Sequence, residues 1–188
     1  MSGIIGQPVS KPNAVVIGSQ FVLAGAGQSI DGKADNFFFL RQPVSKSVQF
    51  SAHLIRVDKR SLQSLCGIMI RESDDPDAPF AFIGVSSVTL FSIHRGAKGE
   101  TCRRVHQELR NKAQAISFRI SPGTNSFATE YSVDATNWTM LSPFSPSLPS
   151  MWKENCLVGL AVCSGNTNIT VTAYFDNVQT NSLARIGP

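Results

Sequence analysis

The chain has 188 residues, 42% of them hydrophobic and 16% charged, with a formal net charge of +4 at pH 7. That length suits one domain that buries most of its unfolded surface, and the composition excludes disordered, collagenous and low-complexity chains. No apolar run reaches the length of a membrane span, and the modest positive balance lacks the dense Lys/Arg clusters of a nucleic-acid binder, so neither partner is expected.

The N-terminal stretch imitates a signal peptide, with Lys11 ahead of the apolar Ala14 to Ala26. Pro12-Asn13 and the split at Gly18-Ser19-Gln20 argue instead for two short strands, Val15 to Ile17 and Phe21 to Leu23. The expected compartment is therefore the thiol-reducing cytoplasm, with export by this segment as the alternative. Asn36 to Arg41 follows the Asp31-Gly32 turn. From Val48 to Val57 the chain alternates, with Val48, Phe50, Ala52 and Leu54 on one face and Gln49, Ser51 and His53 on the other. That spacing is a half-buried strand.

Leu65 to Glu72 reads as another strand, closed by the Ser73 to Asp77 turn, and Phe80 to Val85 and Leu90 to Arg95 follow. Glu100 to Gln114 fits a helix through Val105, Leu109 and Ala113, or a strand; its neighbours favour the strand. Ile116, Phe118 and Ile120 share one face, and Ser121-Pro122-Gly123 turns into Phe127 to Val133. Ser142 to Ser150, with three prolines, is expected to be a loop. Leu157 to Val162 and Ile169 to Phe175 flank a turn at Ser164-Gly165-Asn166. Ten or more short strands separated by turns predict an all-β sandwich or barrel in a single domain, its core running from about residue 14 to 180.

Several stretches carry a family likeness: Gly67 to Ser73 with Asp75-Pro76 and Pro79 to Phe82, Asp35 to Phe39 with Gln42-Pro43, and Tyr131 to Asp134 with Asn137 to Thr139. Val158 to Val162 and Phe175 to Val178 complete the set. Together they resemble the concanavalin A-like β-sandwich modules attached to bacterial enzymes, and the yeast proteins described as regulators of enolase. The likeness implies a two-sheet antiparallel jelly-roll sandwich with one concave sheet, and it implies glycan binding by analogy of fold. Trp138 matches a packed position of that family, and the last-strand Asp176 matches an aspartate that helps hold a structural calcium. No cofactor beyond that calcium is implied. The basic stretch from Glu100 to Lys112 departs from the small polar residues that relatives carry there.

Catalysis has little to draw on. Retaining glycosidases place two carboxyls about 5–5.5 Å apart, roughly two residues along one strand. The strand glutamates Glu72, Glu108 and Glu130 are scattered. No Gly-x-Ser-x-Gly elbow is present, and there are three histidines. The four cysteines form no zinc spacing, and Cys66, Cys156 and Cys163 sit in apolar runs that suit buried thiols. Asp74, Asp75 and Asp77 crowd a turn, where capping of local N–H groups competes with calcium binding.

Sugar binding needs hydrogen-bonding groups beside an apolar platform. The outward-facing residues offer His53, Arg71, His94 and Arg119, with Trp152 exposed on a loop. The expected function is non-catalytic glycan binding on the concave face through these residues. An alternative is a protein-interaction surface built on the Trp152 loop or on the basic stripe at 103–112, where Arg103 and Arg104 lead and Arg104, His106 and Arg110 share one side. A glycoside hydrolase with scattered catalytic residues is the third reading.

Overall fold

The computed structural model describes residues 2–6, 12–45, 47–58, 62–87, 89–109, 115–123, 126–143 and 155–182. In chain order the strands are β1 (Ser2–Ile5), β2 (Asn13–Ile17), β3 (Gln20–Gly27), β4 (Phe37–Ser45), β5 (Val48–Asp58), β6 (Leu65–Arg71) and β7 (Phe80–Ser86). They continue as β8 (Thr89–Arg95), β9 (Arg103–Glu108), β10 (Ile116–Pro122), β11 (Phe127–Ser132), β12 (Thr139–Pro143), β13 (Asn155–Cys163) and β14 (Asn166–Ser182). No described residue is helical.

Two seven-stranded antiparallel sheets result. Sheet A runs β1-β4-β13-β6-β7-β8-β9 and sheet B runs β12-β11-β10-β5-β14-β3-β2. Period-two alternation fills the space between them. Phe50, Ala52 and Leu54 of β5 and Ile116, Phe118 and Ile120 of β10 meet Ile68 and Ile70 of β6 and Ile83 and Val85 of β7. Each such large side chain contributes about 1.5–3 kcal/mol on burial. One polar bridge crosses this core, between the buried hydroxyls of Ser92 and Thr129 at 2.8 Å.

The central strands β6 and β7 of sheet A are buried on both faces, whereas its edge strand β9 is exposed. A second apolar layer of Phe37, Phe39, Met69, Phe80, Phe82 and Ile93 lies on the outer side of the sheet. Ile30, from the loop between β3 and β4, packs into it. Continuous burial along β6 and β7 follows from this double cover. On the outer side of sheet B, Gln49, Ser51 and His53 of β5 stay half-buried.

Two departures from the sequence reading have local causes. β12 forms where an irregular loop is expected to begin, because Thr139 and Met140 pair with Tyr131 and Glu130. β14 runs seventeen residues, and its pairing with β5 passes two irregularities, one of them beside Asn177 at φ 48°. That bulge returns Val178 to the core side and leaves Asp176 facing out.

Candidate functional site

One rung of sheet A places Arg71 of β6, Phe80 of β7 and Arg95 of β8 side by side. Both arginines rise into the covered outer layer, with Arg95 lying over the Phe80 ring at 5.0 Å. Asp35 sits between them. Its Oδ1 accepts from Arg95 Nη2 at 2.6 Å, and its Oδ2 accepts from Arg95 Nη1 at 3.0 Å and Arg71 Nη1 at 3.2 Å. All three side chains are fully buried.

The remaining N–H groups reach loop carbonyls. Arg71 donates to Ser73 O and Asp75 O, and Arg95 donates to Gly32 O, Ala78 O and Glu100 O. Burial pushes the Asp35 carboxyl up and the Arg71 guanidinium down from their ordinary values, each partly offset by the other's charge. The knot ties three loops to the sheet. Its arginines are saturated by protein partners, so it is structural.

Farther along the same face, past the paired glycines Gly67 and Gly84, lies an open pocket of about 280 Å³. The loop between β3 and β4 supplies Gln28, Ser29 and Asp31, and Gln63 and Gly165 close another side. Gly165 stands at φ +75°, and a Cβ there would lie 2.4 Å from that of Gln63, so glycine fits this wall. Phe91 and Leu65 form apolar floor, and Leu62 stands at the rim, 84% exposed.

The charged pair of the pocket is Arg104 and Asp31. Arg104 Nη1 donates to Asp31 Oδ2, and its guanidinium lies over the Phe91 ring at 4.7 Å. The two side chains are 44% and 21% exposed, so both keep polar edges open to solvent. His106, two residues along β9, stacks obliquely on the same Phe91 ring with centroids 6.1 Å apart. The loop carrying Asp31 is clamped elsewhere too: Asn36 N donates to Ser29 O and Asp35 N to Pro76 O.

The structure scatters the ligand set expected from the sequence. Arg71 cannot line an open face, because it is buried in the ionic knot on sheet A. His53 and Arg119 lie on the outer side of sheet B, so no one face holds all three. His53 Nδ1 pairs with Asp176 Oδ1 at 2.7 Å, and Arg119 makes two hydrogen bonds to Glu130 at 2.8 and 2.7 Å.

His94 of β8 points toward the other sheet at the sandwich margin, where burial and the charge of Arg103 hold it down to about 4. Trp152 and Arg110 lie outside the described residues. Of the basic stripe, Arg104 and His106 share the outer side of sheet A, and Arg103 alternates away from them. Trp138 is not in the core: it is half-buried against the Arg119 guanidinium, 4.2 Å from its ring.

The Asp176 carboxylate is taken by His53, and no three His, Cys, Asp or Glu side chains converge on a metal-sized site among the described residues. Glu72 and Asp74 stand two apart in sequence, yet they lie beyond the end of β6, and Asp74 pairs with Arg41. Sequence reasoning missed Asp31, Gln28, Ser29 and Gln63. The one signal was the Asp31-Gly32 pair, which reads as a turn and gives no hint of a facing arginine.

No family model matches the chain, and no curated protein sequence matches it. Solved structures do. A functionally unknown protein from Saccharomyces cerevisiae superposes with a TM-score of 0.73 at 15% identity, over 97% of each chain. A GH43 protein from Bacillus licheniformis matches with a TM-score of 0.65 at 10% identity, over 87% of this chain and 33% of that one. The catalytic domain of a Thermotoga maritima laminarinase gives 0.56 at 12% identity, over 92% and 81%. With two antiparallel seven-stranded sheets and these neighbours, the chain is a concanavalin A-like jelly-roll sandwich.

Proposed function

We propose that this protein is a non-catalytic carbohydrate-binding module whose site is the pocket between Asp31, Gln63, Phe91 and Arg104. The observation that carries the reading is the lining itself. A guanidinium, a carboxylate and two amides surround an apolar floor of Phe91 and Leu65, which suits a ring with hydroxyls on its rim and C–H groups on its face. Neighbours of this fold include glycoside hydrolases, which supports a carbohydrate ligand by analogy alone.

The non-catalytic part rests on carboxylate count and placement. Most glycoside hydrolases use two carboxyl groups flanking the scissile bond. Asp31 is the single carboxylate among the described residues lining the pocket, and Arg104 holds it. On sheet B, Asp176 and Glu130 stand on strands separated by β5 and β10, about 14 Å apart at the usual strand spacing.

A glycan array tests the reading. Wild-type protein should retain a defined sugar class, Arg104→Gln should lose it, and Arg119→Gln on sheet B should keep it. Retention unchanged in Arg104→Gln would place the site elsewhere.

A second reading draws on β9. Among the described residues it is an edge of sheet A, and its six residues are all exposed, a surface suited to an acidic protein partner. Pull-downs with Arg103→Glu test it, since Arg103 faces away from the pocket; an unchanged partner set would remove it.

A further inference from the structure

We infer that Asp31 sets the charge selectivity of the pocket, so that the site accepts an uncharged sugar ring with adjacent hydroxyls and rejects uronic acids. This rests on the pocket being the carbohydrate site. Arg104 is the cation of the lining, and it is already engaged by the Asp31 carboxylate. An acidic sugar would have to break that pair or approach Asp31 at close range, and like charges in a partly enclosed site repel.

A neutral ring meets no such penalty. The pair presents an acceptor and a donor side by side, matched to two neighbouring hydroxyls, one donating to Asp31 and the next accepting from Arg104. Gln63 and Ser29 extend the polar rim. The volume of about 280 Å³ lies at the small end of ligand pockets, which fits one ring rather than the interior of a long chain.

Arg104 is held independently of Asp31. Its guanidinium rests on Phe91, and its strand is fixed by pairing of Arg104 with Ile93. Removing the carboxylate therefore leaves a positioned, uncompensated guanidinium facing the pocket. Such a group is the usual receptor for a carboxylate. Asp31→Asn, which preserves shape, should invert the preference of the site.

The test is calorimetric titration of the full chain with D-glucose, D-galactose and D-xylose as neutral probes and D-glucuronate and D-galacturonate as acidic ones. Wild type should bind a neutral sugar at least about tenfold more tightly than its acidic counterpart, and Asp31→Asn should move that ratio about tenfold or more toward the acid. The double variant Asp31→Asn/Arg104→Gln should bind neither. The wild-type ratio is itself decisive should the variants fold poorly, since uronates bound as well as neutral sugars refute the inference. A ratio unmoved by Asp31→Asn overturns the selectivity role and leaves the binding reading standing. Binding of no sugar here and none on the array overturns both.

Discussion

The buried Asp35 knot gives the sharpest energetic test. Asp35→Asn keeps the shape of the side chain and removes its charge. Two fully buried guanidinium groups then face backbone carbonyls with no anion between them. Breaking a buried ion pair from one side costs about 3–5 kcal/mol, because the surviving charge stays desolvated. Here one carboxylate serves two cations, which argues for the full range. For a chain of this size each kcal/mol shifts the melting temperature by about 2–4 °C, so a loss of roughly 6–20 °C is expected. Urea unfolding followed by circular dichroism measures the free energy directly. A double-mutant cycle with Arg95→Met should show coupling above about 1 kcal/mol, since the two residues share two hydrogen bonds. A destabilisation below about 1 kcal/mol for Asp35→Asn would refute the reasoning.

Other predictions follow from the core and its margins. Phe118→Ala empties a fully buried site between the sheets and should cost about 3–5 kcal/mol in the same unfolding assay. His94 titrates near 6.5 when unfolded and about 4 when folded, so the unfolded chain binds more protons between those values. Stability should fall as pH drops from 6.5 toward 4, by roughly 1–2 kcal/mol after allowance for its partial exposure, and His94→Gln should flatten that slope in pH-dependent melts. Burial pushes the thiol of Cys163 up to about 12 and that of Cys102 up to about 11, and Cys66 and Cys156 are buried too. Native protein at neutral pH should show no fast-reacting thiol towards a disulfide reagent, with all four appearing on denaturation.

The sheets were legible in the sequence wherever one face is apolar and the other polar. Val48 to Val57 alternates without a break over seven residues, and the structure keeps that register as far as Leu54. Beyond it, irregular pairing with β14 resets the faces, which no periodicity announces. β1 escaped because Ser2–Ile5 is four residues long. Arg71 was misplaced for a different reason. Alternation correctly put it on the face opposite Ile70, but nothing local says that the loop following β6 and the loops carrying Gly32 and Glu100 cover that face. Asp31 read as a turn residue and Asp35 only as the start of a family motif, because their partners stand 73 and 60 positions away.

Those two aspartates divide the work of one loop. The loop between β3 and β4 carries both, with Asp35 locked into the knot near one end and Asp31 set against Arg104 nearer the other. If the pocket binds a sugar as proposed, rigid anchoring at Asp35 spares that ligand the entropic cost of ordering Asp31 and Ser29. The two ends should then separate experimentally. Asp35→Asn should lower stability and weaken sugar binding for neutral and acidic rings alike, whereas Asp31→Asn, partly exposed and at the surface, should change the preference between them with little effect on melting. If Asp35→Asn changed the neutral-to-acid ratio as much as Asp31→Asn does, charge selectivity would belong to the loop as a whole and not to the carboxylate facing Arg104.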